Sequence, residues 1–229
     1  MGSCAVIVKA LRSRLPARSL REHFTISPSS RNIKTMLRVY CAGPLFNAAE
    51  RSEMDSIAAT LEAAGLSTFL PHRDGLEFAK LKPELEKLGA SVEEAVRMLD
   101  RAIFSLDTYQ LLTRCDAVVA NLNGRVADEG TVVEASLAWH ADKPLVLFKA
   151  DARTMLSGSD NPMLTGLGDF KVVDQLAALP QAILEAVARD RTHRAEQTLE
   201  SGAQIAALRE GGGELSALAK TLYSAFKKP

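Results

Sequence analysis

The sequence predicts an α/β fold: a Rossmann- or flavodoxin-like, doubly wound parallel sheet flanked by helices, with a helical C-terminal extension. Three observations predict it. Residues 37–70 read strand, helix, strand, which is a right-handed βαβ unit and therefore a parallel pair. Asp116-Ala-Val-Val-Ala and Lys143-Pro-Leu-Val-Leu-Phe are short apolar runs rich in β-branched or bulky aliphatic residues, as buried strands are. A helical pattern lies between them, so the strand–helix alternation continues.

Residues 1–35 stand apart. Lys9, Arg12, Arg14, Arg18, Arg21, Arg31 and Lys34 are opposed by Glu22 alone, and serines are frequent. This composition is shared by organelle transit peptides and by disordered leaders. The leader reading is preferred, because Val6 to Leu11 is the only apolar cluster, and the working domain is expected to start at Met36.

From Leu37, Leu-Arg-Val-Tyr-Cys-Ala is a strand that Gly43-Pro44 stops. Asn47 is placed to cap a helix whose Ala48, Ile57, Ala58, Leu61 and Ala64 lie on one face, and Gly65 ends it. Leu66-Ser-Thr-Phe-Leu-Pro is the second strand. Residues 72–90 are charged without a clear period and are expected to form a long connection, a lid or substrate wall. Ser91 to Leu112 is helical, with Val92, Ala95, Met98, Leu99 and Ala102 as its apolar stripe. After the 116–120 strand, Asn123-Gly124 turns the chain and a helix begins near Thr131. Residues 151–170 are irregular, Val172-Val173 is a last short strand, and Pro180 to Arg209 is helical with Ile183, Leu184 and Val187 inward. Gly211-Gly212-Gly213 breaks that pattern before a short helix over 216–226. The expected division is therefore a leader (1–35), an α/β domain (36–178) and a helical extension (179–229).

Lys plus Arg equals Asp plus Glu at 28 each, so no global field draws nucleic acid or an acidic membrane. Three cysteines, Cys4, Cys41 and Cys115, are an odd number without Cys-x-x-Cys spacing, which argues against a disulfide scaffold or zinc site and for a reducing, cytoplasmic setting. No apolar run is long enough to cross a bilayer. His72, His140 and His193 lack metal-ligand spacing, Trp139 reads as packing, and the triple glycine has neither a preceding strand nor a following Gly-Lys-Ser/Thr.

Asp128, Glu129 and Glu134 lie in or just after a loop that leaves the C-terminal end of a parallel strand, where α/β sheets place ligands. Crowded carboxylates raise the proton affinity of at least one of them, which suits acid or nucleophile chemistry. On local pattern alone Asp128 and Glu129 are equally first-turn acids favoured by the helix dipole, with Glu134 on a solvated face.

Three separated pieces together decide between these. Tyr40-Cys-Ala-Gly-Pro-Leu-Phe-Asn, Asp107 ahead of Cys115-Asp116-Ala-Val-Val-Ala-Asn-Leu-Asn-Gly, and Asp128-Glu-Gly-Thr-Val-Val-Glu134 resemble the nucleoside 2-deoxyribosyltransferases in order and spacing, over roughly residues 37–175. The resemblance implies that Glu134 attacks the anomeric carbon of a 2′-deoxynucleoside and carries the sugar to another base. It implies an acid on the base side of the sugar: Asp128 matches a family aspartate that faces the base, and Asp107 matches another, although it is one residue further from Asp116 than the family's usual spacing. It also implies a tyrosine hydroxyl at Tyr40 that steadies the nucleophile, and substrate contacts from Gly43 and Phe46. Asn161, in Ser159-Asp-Asn-Pro-Met, matches an asparagine lent to a neighbouring subunit, so a homo-oligomer with shared sites is expected. The partners are then a deoxynucleoside and a free base, and no cofactor or metal is called for.

Two other functions stay open at this level. A nucleoside 5′-monophosphate N-glycosidase would use water as acceptor and need a phosphate cradle, for which Arg51 and Arg73 are the basic candidates. A nucleotide-sensing module would bind in the same crevice without turnover.

Overall fold

The computed structural model describes residues 36–151, 160–210 and 215–226. The basic leader and the triple glycine lie outside the described residues. In chain order the elements are β1 (Arg38–Ala42), α1 (Ala48–Ala63), β2 (Ser67–Phe69), α2 (Pro71–Asp74), α3 (Phe78–Lys87), α4 (Val92–Tyr109), a π-helical turn (Gln110–Arg114), β3 (Ala117–Asn121), α5 (Glu129–His140), β4 (Leu145–Phe148), α6 (Pro162–Thr165), β5 (Val172–Val173), α7 (Leu179–Ala188), α8 (Arg194–Glu210) and α9 (Leu215–Phe226).

The sheet is wholly parallel with strand order β2-β1-β3-β4-β5. Its winding reverses between β1 and β3, and a crevice opens at the carboxyl ends of strands on either side of such a reversal. Both faces of β1, β3 and β4 are buried, which is why they read as continuous apolar runs. Val39 and Cys41 of β1 face a core with Met54, Ile57 and Leu61 of α1 and Leu179 and Ile183 of α7. Tyr40 and Ala42 face the opposite core with Phe69, Leu111, Val118, Ala135 and Leu147. Burying a side chain such as Ile57 or Leu61 contributes about 1.5–3 kcal/mol.

Local sequence fixes the helix ends. Asn47 and Glu50 form a capping box at the start of α1, and Ser91 and Glu94 form another on α4. At the other end of α1, Gly65 takes φ +83° while its N–H reaches the Glu62 carbonyl and that of Leu66 reaches Leu61, the paired bonds of a Schellman motif.

The expected connection over 72–90 is instead mostly helical. Its half-buried stripe, Phe78, Lys82, Leu85 and Glu86, has helical spacing but includes two charged residues, whose aliphatic stems share the covering. Pro71 and the Asp74 carboxylate, which accepts the Leu70 N–H at 2.9 Å, start α2. The single helix expected over 180–209 is two, because Asp190 turns the chain onto the Thr192 N–H at 2.8 Å and His193 takes φ +69°. The irregular stretch after β4 contains α6, with 152–159 outside the described residues. Leu179, Ile183 and Ala186 belong to the core, so α7 completes the sheet's second layer and only α8 and α9 extend beyond it. Arg194 lies over the Trp139 ring, 5.2 Å from its centroid, and donates to the Trp139 carbonyl, so that aromatic is a packing surface. Among the described residues no helix is long and apolar enough to cross a membrane.

Candidate active site

The β3–α5 loop ends at Asp128, whose Oδ2 accepts the Thr131 N–H at 2.8 Å and the Thr131 hydroxyl at 2.9 Å. Asp128 is therefore the N-cap of α5, and the helix begins at Glu129, two residues earlier than its apolar pattern suggests. Glu134 falls in the second turn, on the side that meets the sheet. There it meets Tyr40, which β1 buries completely in register with Val118 of β3. The Tyr40 hydroxyl donates to Glu134 Oε1 at 2.5 Å, and the Tyr40 ring stacks on Phe69 at 5.5 Å.

Asp107 arrives from α4. With Glu134 it lines a pocket of about 530 Å³ walled by Ile103, Phe104, Leu111, Val133 and Leu137. The π-helical turn between Asp107 and β3 closes with the Cys115 N–H on the Gln110 carbonyl, a five-residue step at 2.9 Å. A π turn holds one residue more than an α turn, and with this turn in place Asp107 reaches the pocket.

Burial dominates the electrostatics. It raises Glu134 to about 7, against the lowering effect of the Tyr40 hydrogen bond, with the charges of Asp107 and Asp128 adding to the rise. Burial likewise raises Asp107 to about 6. The Tyr40 hydroxyl is pushed far up, first by burial and then by the charge of Glu134, so it stays a neutral donor. One pocket thus holds a carboxylate fixed by a neutral donor beside a second carboxyl that keeps its proton more readily than an ordinary aspartate. These are the parts for covalent attack on one side of a substrate and proton delivery on another.

The structure therefore gathers Tyr40, Asp107 and Glu134, with Asp128 near enough to act on Glu134 electrostatically. Glu129, at the first position of α5, also lines the pocket, whereas Gly43, Phe46 and Asn161 do not. Gly43 leaves room for α1, since a Cβ there would sit 2.1 Å from Met54 Sδ and 3.2 Å from Asn121 Cβ. Phe46 is 81% exposed. Asn161 is exposed and caps α6, its side chain accepting the Met163 N–H at 2.9 Å. Sequence reasoning misses the pocket walls, because Phe104 and Val133 lie off the buried stripes of their helices and are 66% and 53% exposed.

A second, more polar pocket of about 570 Å³ lies at the ends of β1, β3 and β4, lined by Pro44, Asn47, Glu50, Glu53, Asn123 and Asp151 among others. Sequence reasoning passes over Glu53, which bridges Asn121 and Asn123 on the floor of this pocket. A polar residue, Asn121, ending an otherwise apolar buried strand is the signal that points there.

A model of the nucleoside 2-deoxyribosyltransferase family matches residues 39–205. A comparison with curated proteins finds no match. Among solved structures, a conserved protein from Enterococcus faecalis V583 is 21% identical, with 66% of this chain and 99% of that one covered and a TM-score of 0.52. A 2-deoxyribosyltransferase from Bacillus psychrosaccharolyticus is 21% identical, with 62% and 90% covered and a TM-score of 0.45. The first of these likenesses shows a common fold.

Proposed function

The chain belongs to the nucleoside 2-deoxyribosyltransferase family, and on that premise we propose that it moves the 2-deoxyribosyl group of a 2′-deoxynucleoside between nucleobases through an ester on Glu134. The carrying observation is the Tyr40–Glu134 hydrogen bond in a pocket shared with Asp107. Tyr40 holds Oε1 and leaves Oε2 for C1′. As the bond to the base breaks, positive charge grows on the sugar and the Glu134 carboxylate stabilises it before bonding. Asp107 supplies the proton that makes the base a better leaving group, and recovers one from the incoming base in the return step. Two inversions retain the configuration at C1′. Of the two aspartates, Asp107 suits the acid's part better, because Asp128 Oδ2 is already held by two donors at the helix start.

The phosphate-dependent glycosidase is the weaker reading. Among the described residues neither pocket is lined by Lys or Arg. The two basic candidates are engaged: Arg51 donates to the Leu45 carbonyl at 2.8 Å, and Arg73 to Glu62, Asp74 and Thr68. The charged residues that line both pockets are all carboxylates, which repel a phosphate. Asn161, exposed on α6, is offered to a neighbouring subunit, which makes a homo-oligomer the active unit.

The test is base exchange. Purified protein given a deoxynucleoside and a different free base should form the exchanged deoxynucleoside. Release of free sugar and base alone, or reaction of the 5′-monophosphate alone, sinks the transferase reading. Binding without turnover supports the sensing module.

A further inference from the structure

We propose that Glu53 is a positioning residue for this reaction: through Asn121 and Asn123 it sets the β3–α5 loop and hence the placement of Asp128 and Glu134. The inference rests on the transferase reading for its link to catalysis and on hydrogen-bond geometry for everything else. Asn121, fully buried at the end of β3, accepts the Asn123 N–H on Oδ1 at 3.0 Å. Its amide orientation is thereby set, and Nδ2 donates to Glu53 Oε2 at 3.0 Å. Asn123 accepts two backbone donors on its own Oδ1, from Ala150 at 2.7 Å and Asp151 at 2.9 Å. Its Nδ2 must then face Glu53, where it donates to Oε1.

Backbone N–H groups only donate, so neither asparagine can flip without setting donor against donor. Glu53 consequently faces two donors and must accept with both oxygens. Only a carboxylate on a side chain of this length does so. One residue of α1 thereby ties the end of β3 to the end of β4. Beyond this knot, Gly124 is held on both sides, its N–H by Asp151 Oδ2 at 3.1 Å and its carbonyl by the buried Lys149 Nζ at 3.0 Å. The loop then runs through exposed Arg125 and Val126 to the Asp128 cap, and Glu134 follows in the second turn. A shift of about 1 Å at a reacting group can cost roughly a hundredfold in rate, so the anchoring of this loop bears directly on turnover.

Glu53→Gln is the decisive substitution. The glutamine offers one oxygen and one NH2 to two donors, so one contact becomes repulsive. Adding Asn123→Asp reverses the polarity of that contact alone: the new carboxylate accepts from the glutamine NH2 on one oxygen and keeps the Ala150 and Asp151 N–H groups on the other. In Glu53→Gln, amide hydrogen exchange over residues 122–130 should run roughly tenfold faster. kcat in base exchange should fall roughly 10- to 100-fold with a smaller change in KM. The double variant should recover both to within about threefold of the parent. Unchanged exchange and kcat in Glu53→Gln overturn the proposal, as does a double variant no better than the single one. Faster exchange spread evenly over the chain also overturns it, since that marks a purely global role. If the unsubstituted protein exchanges no bases, the transferase reading fails by itself, and the exchange rates of 122–130 still decide whether Glu53 holds the loop.

Discussion

Tyr40 and Glu134 lie 94 residues apart in the sequence and meet at 2.5 Å, hydroxyl to carboxylate oxygen, beneath the pocket that Asp107 completes. The hydrogen bond counters the burial that raises Glu134, so Tyr40 both aims the carboxylate and keeps it available as an anion. Tyr40→Phe should therefore lower kcat/KM at neutral pH by roughly 10- to 100-fold, the range for a hydrogen bond to a charged group. It should also raise Glu134 further and, because Glu134 titrates above Asp107, move the alkaline limb of the pH profile to higher pH. An alkaline limb left in place would show that the hydroxyl does not act on Glu134.

The pH profile itself has a determined shape. Glu134 must be ionised to attack, so kcat/KM rises with pH through about 7. Asp107 must be protonated to serve the leaving base, so kcat/KM falls as pH climbs through about 6. A bell should appear, its acid limb bending near 6 and its alkaline limb near 7 because the acid titrates below the base, with both limbs belonging to the coupled pair. Asp107→Asn should remove the alkaline limb, leaving a rate that rises with the ionisation of Glu134 alone and then stays flat. Steady-state rates between pH 4 and 9 provide the check.

Glu134→Gln should abolish base exchange while the fold persists, and it should change how stability depends on pH. The folded chain holds the Glu134 proton more tightly than the unfolded chain does, with a value raised from 4.5 to about 7. Stability from this group is present below about 4.5 and is lost as pH rises through 7. The thermal midpoint of the unsubstituted protein should fall over that window more steeply than that of Glu134→Gln. Parallel curves would mean that Glu134 is not buried in its charged form.

Gly43→Ala tests packing instead of chemistry. The added methyl would meet Met54 Sδ at 2.1 Å and Asn121 Cβ at 3.2 Å, and both neighbours are fully buried. Overpacking of this kind costs about 1–3 kcal/mol. Chemical denaturation should register the loss, whereas an unchanged midpoint would show that α1 gives way freely.

Much of the fold is legible in the sequence because a parallel sheet writes itself as contiguous apolar strands, and Val39, Val118, Val119 and Val146 do so. The helix over 78–87 is not, because half of its covering residues are the charged Lys82 and Glu86 and no apolar period survives. The site divides in the same way. Glu134, Asp128 and Asp107 stand in a readable order, but which of them faces a donor, a helix end or a pocket depends on contacts between distant segments. The part of Tyr40 follows from the resemblance, but that β1 encloses it wholly is a matter of packing. Phe46 matches a family pattern in sequence and yet is exposed away from the pocket, since position along the chain carries no direction for a side chain. Glu53 is invisible for a different reason: one glutamate among several on α1 is marked only by the two asparagines that it meets.

The π-helical turn at Gln110–Arg114 changes how length along this chain should be measured. It behaves as a length of slack between two fixtures, the strand end at Ala117 and the carboxylate at Asp107. A residue gained or lost within it alters the count between the two while leaving their separation in space alone. Insertions tolerated here would be silent for catalysis, whereas one inside α4 itself would rotate Asp107 by about 100° away from the pocket.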